Sequence, residues 1–268
     1  MDPRLQPVQA LLRRTRLLAP VMAARYAAEV AAGYPANRRF ARDHPDVATP
    51  PARLSFDAYG HVSNERYLRR GREVAAEVAA HVRRHVPAPE PAVLEWGCGC
   101  ARVLRHLPDL LPGSRLVGSD YNPASVEWCR ANIDGIRFEL NGLAPPLPFD
   151  DAAFDFVLAL SVLTHLSEPM HVVWFDELRR VTRPGGVILV STHGEALRPQ
   201  LLPEEDEAFR QGELVVRRDG GVDEGKRMYL AFQPEPFMRG RLLDGCEVLE
   251  HVDDRGPAKQ DFWVVRRP

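Results

Sequence analysis

The run VLEWGCGCAR, from Val93 to Arg102, sets an acid, a tryptophan, two glycines and two cysteines side by side. Residues of these types serve metal sites, redox pairs and nucleotide-binding turns. Cys98 and Cys100 are one residue apart, whereas zinc knuckles use spacings of two to four, and no second Cys or His pair follows at useful spacing. A redox pair wants Cys-x-x-Cys, which is absent. Both thiols read as small packing residues, and no metal is expected. Nothing supplies the G-x-x-x-x-G-K-[ST] of a phosphate loop. In a dinucleotide fingerprint, Gly97 and Gly99 would need a third glycine where Arg102 stands. A side chain there obstructs the close helix–strand approach.

What remains is an acid-x-Gly-x-Gly-x-Ala run: Glu95, Gly97, Gly99 and Ala101. Glycines at such a turn let the backbone bend sharply and a ligand press against it. Glu95 is placed to take an ammonium group, and amides at the start of the following helix can receive a carboxylate. Farther on, RLVGSD ends in Asp120, where an acid suits a ribose diol. The ligand implied has an amino-acid head, a ribose and no diphosphate. S-adenosylmethionine fits that description.

These residues need elements to hold them. AVLEW, RLVGSD, IRFEL, FDFVLAL and VILVST read as short apolar strands. Helical stretches lie between several of them: ARVLRHLPDLL, ASVEWCRANI and MHVVWFDELRRVT, the last ended by Pro184-Gly185-Gly186. Such alternation means a parallel sheet covered on both faces. His165 follows the fourth strand and His193 the fifth, at the carboxyl edge where open α/β sheets bind ligands. Both are candidate acid–base groups, although a histidine just past a strand commonly caps a turn. Before the sheet, VQALLRRTRLL and ARYAAEVAA have helical periodicity. A loop is expected from Gly33 to about Arg53, then a long helix capped at Ser63 or Asn64. After the sheet, LLPEEDEAFRQG reads as a short helix, ELVVRRDGG and KRMYLAF as two strands, PFMRGRLLDG as a helix, and CEVLEHV and DFWVVRR as late strands.

With these motifs in this order, the chain resembles the class I S-adenosylmethionine-dependent methyltransferases over about residues 92–194. VLEWGCGCAR looks like the family's first motif and LVGSDYNP like its second. ELNGLAPPLPFDDAAFDFVLALSVLTHL looks like the third and fourth together, and ELRRVTRPGGVILVST like the fifth. Many members have glycine where Ala101 stands. The resemblance implies an α/β fold, a Rossmann-like seven-stranded mixed sheet of the methyltransferase type. An N-terminal helical extension or lid (1–88) precedes the cofactor-binding domain (89–268), and 195–232 forms a substrate-side insertion. It places Glu95, Gly97 and Gly99 at the methionine end of S-adenosyl-L-methionine, with Trp96 beside that turn. Asp120 takes the ribose and Tyr121 flanks the adenine. Asn141, Gly142 and Leu143 form its polar neighbourhood, and Ser161 lines the methyl side. Tyr59, His61 and Tyr67 could close on substrate or simply pack against the sheet.

Bulk properties bound the rest. The chain has 268 residues, a net charge of −2 and a sequence pI of about 6.5, which argues against nucleic acid as a partner. Positive charge is almost all arginine, since Lys226 and Lys259 are the only lysines. The four cysteines are too few for a disulfide framework at this size, so a cytoplasmic setting is expected. No apolar run suits a spanning helix or a signal peptide, so no stable membrane insertion is expected. The N-terminal helices could pair two chains as a homodimer. The function expected is methyl transfer to a small molecule, most often at oxygen. The alternatives are an NAD-dependent oxidoreductase or a non-catalytic cofactor-binding protein of the same fold.

Overall fold

The computed structural model describes residues 18–217, 222–255 and 260–268. The helix expected to begin at Val8 lies outside them except for its last residue. Seven strands form one sheet in the order β3-β2-β1-β4-β5-β9-β8. They are β1 (Ala92–Trp96), β2 (Arg115–Asp120), β3 (Arg137–Leu140), β4 (Phe154–Ala159), β5 (Thr182–Thr192), β8 (Glu247–Arg255) and β9 (Gln260–Arg266). β1 and β4 are buried along their whole length, which is why apolar residues dominate both, with Glu95 and Asp155 as the exceptions. β9 runs antiparallel to β5 and to β8, so the sheet is mixed, as expected. A separate antiparallel pair joins β6 (Val215–Arg217) to β7 (Leu230–Phe232).

The chain forms two compact units, and the first spans Ala19–Asn141. Here α1 (Leu18–Asp43), α2 (Ala52–Tyr59) and α3 (Asn64–His85) precede β1. The Ser63 hydroxyl accepts the Arg66 amide at 3.2 Å and caps α3, as the sequence predicts. The loop expected from Gly33 is instead helix as far as Asp43, with Pro35 inside it. Tertiary bonds offset the proline's cost. Asn37 Nδ2 donates to the Val62 carbonyl at 2.7 Å, and its Oδ1 accepts the Asn64 amide at 3.0 Å. A Cβ on Gly33 would stand 3.1 Å from Val62 Cγ2, so glycine there serves close packing rather than a break.

A second correction concerns ARVLRHLPDLL. A 3₁₀ turn over Leu104–His106 and α4 (Leu107–Leu110) replace the long helix. Ala101 takes a left-handed φ of 51°, and a buried carboxylate, Glu95, caps the Leu104 amide at 3.0 Å. Then α5 (Pro123–Asn132) links β2 to β3, capped by the Asn122 side chain on the Ala124 amide.

The second unit takes in Gly142–Pro268. It contains β4 and β5 with α6 (Glu168–Val181) between them, α7 (Pro203–Arg210), the β6–β7 pair, and the late strands. Pro184 to Gly186 lie within β5 rather than ahead of it. The segment PFMRGRLLDG is a short turn of helix, Glu235–Phe237, that loosens into a π turn over Met238–Leu242. Leu197, Leu201, Phe209, Val215 and Phe232 form an apolar cluster within residues 195–232.

Candidate functional site

In the first unit the turn after β1 is a chain of left-handed residues: Gly97 at φ 73°, Gly99 at 54° and Ala101 at 51°. Glycine adopts this backbone without steric cost, and alanine at 101 is strained there. The turn is fastened to the end of β2. The Gly97 and Cys98 amides both donate to the Ser119 carbonyl, at 2.7 and 3.0 Å. The Gly99 amide donates to Asp120 Oδ2 at 2.8 Å, and the Asn122 amide donates to Oδ1 at 2.8 Å. Burial raises the Asp120 carboxyl above its ordinary range, and the amides of Asn122, Gly99 and Tyr121 pull it back. Three amides thus leave this carboxylate acceptor capacity for a ligand hydroxyl.

Glu95 is buried at the end of β1. Its carboxyl is pushed up to about 8 by burial, against the opposing pull of Arg102 and of the Leu104 amide it accepts. Trp96 is buried beside it in the strand. Tyr121 follows Asp120 and is partly exposed. Asn141 closes the unit: its amide donates to the Asp120 carbonyl at 3.1 Å, and Ser119 Oγ donates to Asn141 Oδ1 at 2.5 Å. Glu95, Gly97, Gly99, Asp120 and Asn141 thus come together around two strand ends.

Two tyrosines act on the same turn in a way the motif alone does not reveal. The Tyr59 hydroxyl accepts the Cys100 amide at 3.0 Å, and the Tyr67 hydroxyl donates to the Cys100 carbonyl at 2.6 Å. The Arg102 guanidinium lies 4.6 Å from the Tyr59 ring centroid. Tyr67 is fully buried and packs as core. His61 accepts the Ser63 amide through Nδ1 at 3.2 Å and belongs to the entry of α3.

In the second unit, Leu143 is exposed while its carbonyl accepts Trp174 Nε1 at 3.0 Å; Gly142 precedes it with its Cβ position 3.0 Å from the Ala144 carbonyl oxygen. Ser161 follows β4 in a left-handed conformation, φ 60°. His165 and His193 approach edge to face, with ring centroids 6.5 Å apart. His165 Nδ1 lies 2.8 Å from the Tyr229 carbonyl, and His193 Nδ1 lies 2.9 Å from the Ala231 carbonyl. A carbonyl only accepts, so each Nδ1 carries the proton and each Nε2 presents a lone pair. Burial lowers His165 to about 4 and His193 to about 3; the neighbouring His165 and Arg217 depress His193 further, and the two carbonyls oppose these shifts. Both rings are therefore neutral at neutral pH. Gln233, which sequence reasoning missed, anchors them: Oε1 accepts the His193 amide at 2.9 Å and Nε2 donates to the Leu163 carbonyl at 3.2 Å. No spacing rule points to it, because β7 supplies its position.

His251 Nε2 lies 3.1 Å from Asp253 Oδ1 and 3.6 Å from Asp261 Oδ2. Among the described residues, no helix is long and apolar enough to cross a membrane.

Known proteins resemble this chain in sequence and fold. Residues 93–186 match the family model described as a methyltransferase domain. A probable S-adenosylmethionine-dependent methyltransferase of Mycolicibacterium smegmatis is 35% identical over 131 residues, 49% of this chain and 47% of that protein. A fatty-acid O-methyltransferase of the same organism is 35% identical over 178 residues, 65% of this chain and 58% of that protein. The chain thus spans about half the length of the curated relatives it matches. Among solved structures, the S-adenosylmethionine-bound amino pentose methyltransferase CalS10 of Micromonospora echinaspora superposes with a TM-score of 0.52 at 18% identity. That superposition covers 74% of this chain and 92% of CalS10, and it speaks to the fold. Through the matched segment, residues 93–186, and the seven-stranded sheet that carries it, the chain resembles the class I S-adenosylmethionine-dependent methyltransferases.

Proposed function

We propose that this chain transfers the methyl group of S-adenosylmethionine to an oxygen of a small molecule. The observation that carries this reading is the left-handed glycine turn closed onto Asp120 by the Gly99 amide. The residues present fit the cofactor. Asp120 keeps acceptor capacity for a ribose hydroxyl, and Glu95 becomes a carboxylate when an ammonium group arrives. Tyr121, Asn141, Gly142 and Leu143 border the base, Trp96 backs the turn, and Ser161 lines the methyl side. Bound there, S-adenosylmethionine supplies an already activated methyl group, so the protein's task is alignment. His193 accepts the proton of the attacking hydroxyl at Nε2, and His165 holds that ring edge-on or shares the role. The insertion 195–232 lies on the substrate side. Oxygen as the acceptor atom draws support from the fatty-acid O-methyltransferase relative.

A dinucleotide is disfavoured because Arg102 stands where its fingerprint needs a third glycine. Thiols at Cys98, Cys100 and Cys129 in the buried core suit a reducing, cytoplasmic setting. The test is incubation with methyl-deuterated S-adenosylmethionine and a metabolite extract, read by mass spectrometry. The expected result is a labelled methyl on one or more small molecules. Cofactor binding without any labelled product would support the regulatory alternative instead.

A further inference from the structure

The β8–β9 hairpin carries a set of donor atoms that methyl transfer does not use. His251 stands on β8, and its cross-strand partner on β9 is Trp263. The two rings stack, with centroids 3.6 Å apart and planes 13° from parallel. Trp263 is buried and donates Nε1 to Thr192 Oγ1 at 3.1 Å, so the imidazole rests on a fixed surface. His251 Nε2 is buried and, among the described residues, has no hydrogen-bond partner. A buried ring nitrogen left so is costly unless something meets it. Asp253 Oδ1 at 3.1 Å and Asp261 Oδ2 at 3.6 Å are near, yet neither completes a hydrogen bond with it. The three donor atoms all lie within 4.8 Å of one another. Carboxylate oxygens carry only lone pairs, and so does Nε2 when the ring proton is on Nδ1. Three such atoms this close repel one another unless a cation lies among them.

We infer that His251, Asp253 and Asp261 bind a divalent transition-metal ion of the zinc or manganese class. The spacing suits one shared ion. Metal bonds of about 2.1 Å put neighbouring ligand atoms about 3.0 Å apart at right angles and about 3.4 Å apart at the tetrahedral angle. The separations of 3.1 and 3.6 Å from Nε2 are close to these. The donor chemistry suits the same class, because an imidazole selects transition metals while magnesium and calcium prefer all-oxygen sets. Two carboxylates offset the charge of the ion. Asp261 is buried and Asp253 is exposed, so one oxygen ligand is held in place and the other adjusts as the ion arrives. The nearby cation Arg239, 5.1 Å from the Trp263 ring centroid, is paired with Glu235 at 2.6 Å. A Cβ on Gly194 would collide with Asp261 Oδ2, so an ion on Asp261 braces the backbone that follows His193. The site goes beyond methyl transfer and does not depend on it.

The experiment is calorimetric titration of untagged, chelator-treated full-length protein with zinc chloride and manganese chloride, with magnesium chloride as the control. The expected result is saturable binding of zinc, weaker binding of manganese and none of magnesium. His251→Ala should weaken one equivalent of bound zinc by about a hundredfold or more, and Asp253→Asn should weaken the same equivalent by about tenfold. If His251→Ala does not fold without its stack on Trp263, Asp253→Asn decides alone, because that side chain is exposed. No binding of zinc or manganese at about millimolar concentration overturns the inference. So does zinc binding that is equal in stoichiometry and affinity in the native chain and in the variants, which would place the ion elsewhere. Affinity for S-adenosylhomocysteine is measured separately and should be the same in Asp253→Asn as in the native chain, so the metal site and the cofactor site stand or fall apart.

Discussion

The Gly99 amide donates to Asp120 Oδ2 at 2.8 Å, joining two motifs that stand 21 residues apart. One bond thereby fixes the turn proposed to face an amino-acid head against the acid proposed to face a ribose. Asp120→Ala should cost about a hundredfold or more in affinity for S-adenosylhomocysteine, because ligand hydroxyls and the Gly99 amide lose their acceptor together. Asp120→Asn should cost less, since one oxygen survives. Calorimetric titration of the three proteins checks this order. Gly99→Ala should lower stability by about 1–2 kcal/mol, the cost of a left-handed alanine, with the new Cβ also facing the Tyr59 hydroxyl at 3.1 Å.

Glu95 makes the binding reaction sensitive to pH. With its carboxyl pushed up to about 8 by burial, Glu95 is mostly protonated at pH 7. An ammonium ligand requires the carboxylate, so binding at pH 7 should release a proton. Titrations in buffers of different ionisation enthalpy should detect that release at pH 7 and find it gone at pH 9. In the unliganded protein the sign is also fixed. The native state holds this proton where the unfolded chain has lost it, so the contribution to stability is full below about 4.5 and disappears as pH rises through about 8. Glu95→Gln should flatten that part of the stability profile.

The tyrosine pair around Cys100 should be structural in one member and separable in the other. Tyr67→Phe leaves the buried Cys100 carbonyl without its 2.6 Å donor and should destabilise the fold by about 1–3 kcal/mol in urea unfolding. Tyr59→Phe removes the acceptor of the Cys100 amide at the turn's outer side, so its effect should fall more on ligand affinity than on the unfolding midpoint.

His193→Ala should lower kcat by about 10²–10⁴ while leaving S-adenosylhomocysteine affinity unchanged, the pattern of a lost acid–base group. Unchanged turnover with a good acceptor removes it from the mechanism. Because burial holds His165 and His193 down to about 4 and about 3, the rate should show no histidine limb near pH 6.5. Both rings stabilise the fold as neutral groups above pH 6.5, and that contribution is lost as pH falls toward 4.

Strands with both faces covered leave a plain record in sequence. AVLEW and FDFVLA are apolar apart from Glu95 and Asp155 because every position is buried, and their order already carries the sheet. The cofactor turn is equally readable, since left-handed backbone at positions 97 and 99 demands glycine. The helix around Pro35 was not readable, because side-chain bonds from Asn37 to residues far along the chain decide it. The short helix after the turn was missed for a similar reason: a buried glutamate takes the amide at which the expected helix would have continued. Gln233 and Asp261 carry no motif at all. Their positions come from β7 and from the antiparallel pairing of β9, which only the folded chain brings to His193 and to His251.

The central claim is that the turn after β1 and the acid ending β2 hold S-adenosylmethionine. Isothermal titration of the purified chain with S-adenosylhomocysteine, and with NAD as the control, tests it most directly. The account predicts saturable binding of S-adenosylhomocysteine in the micromolar range, lost in Asp120→Ala, and no binding of NAD. Absence of S-adenosylhomocysteine binding at millimolar concentration, or NAD binding in its place, contradicts it.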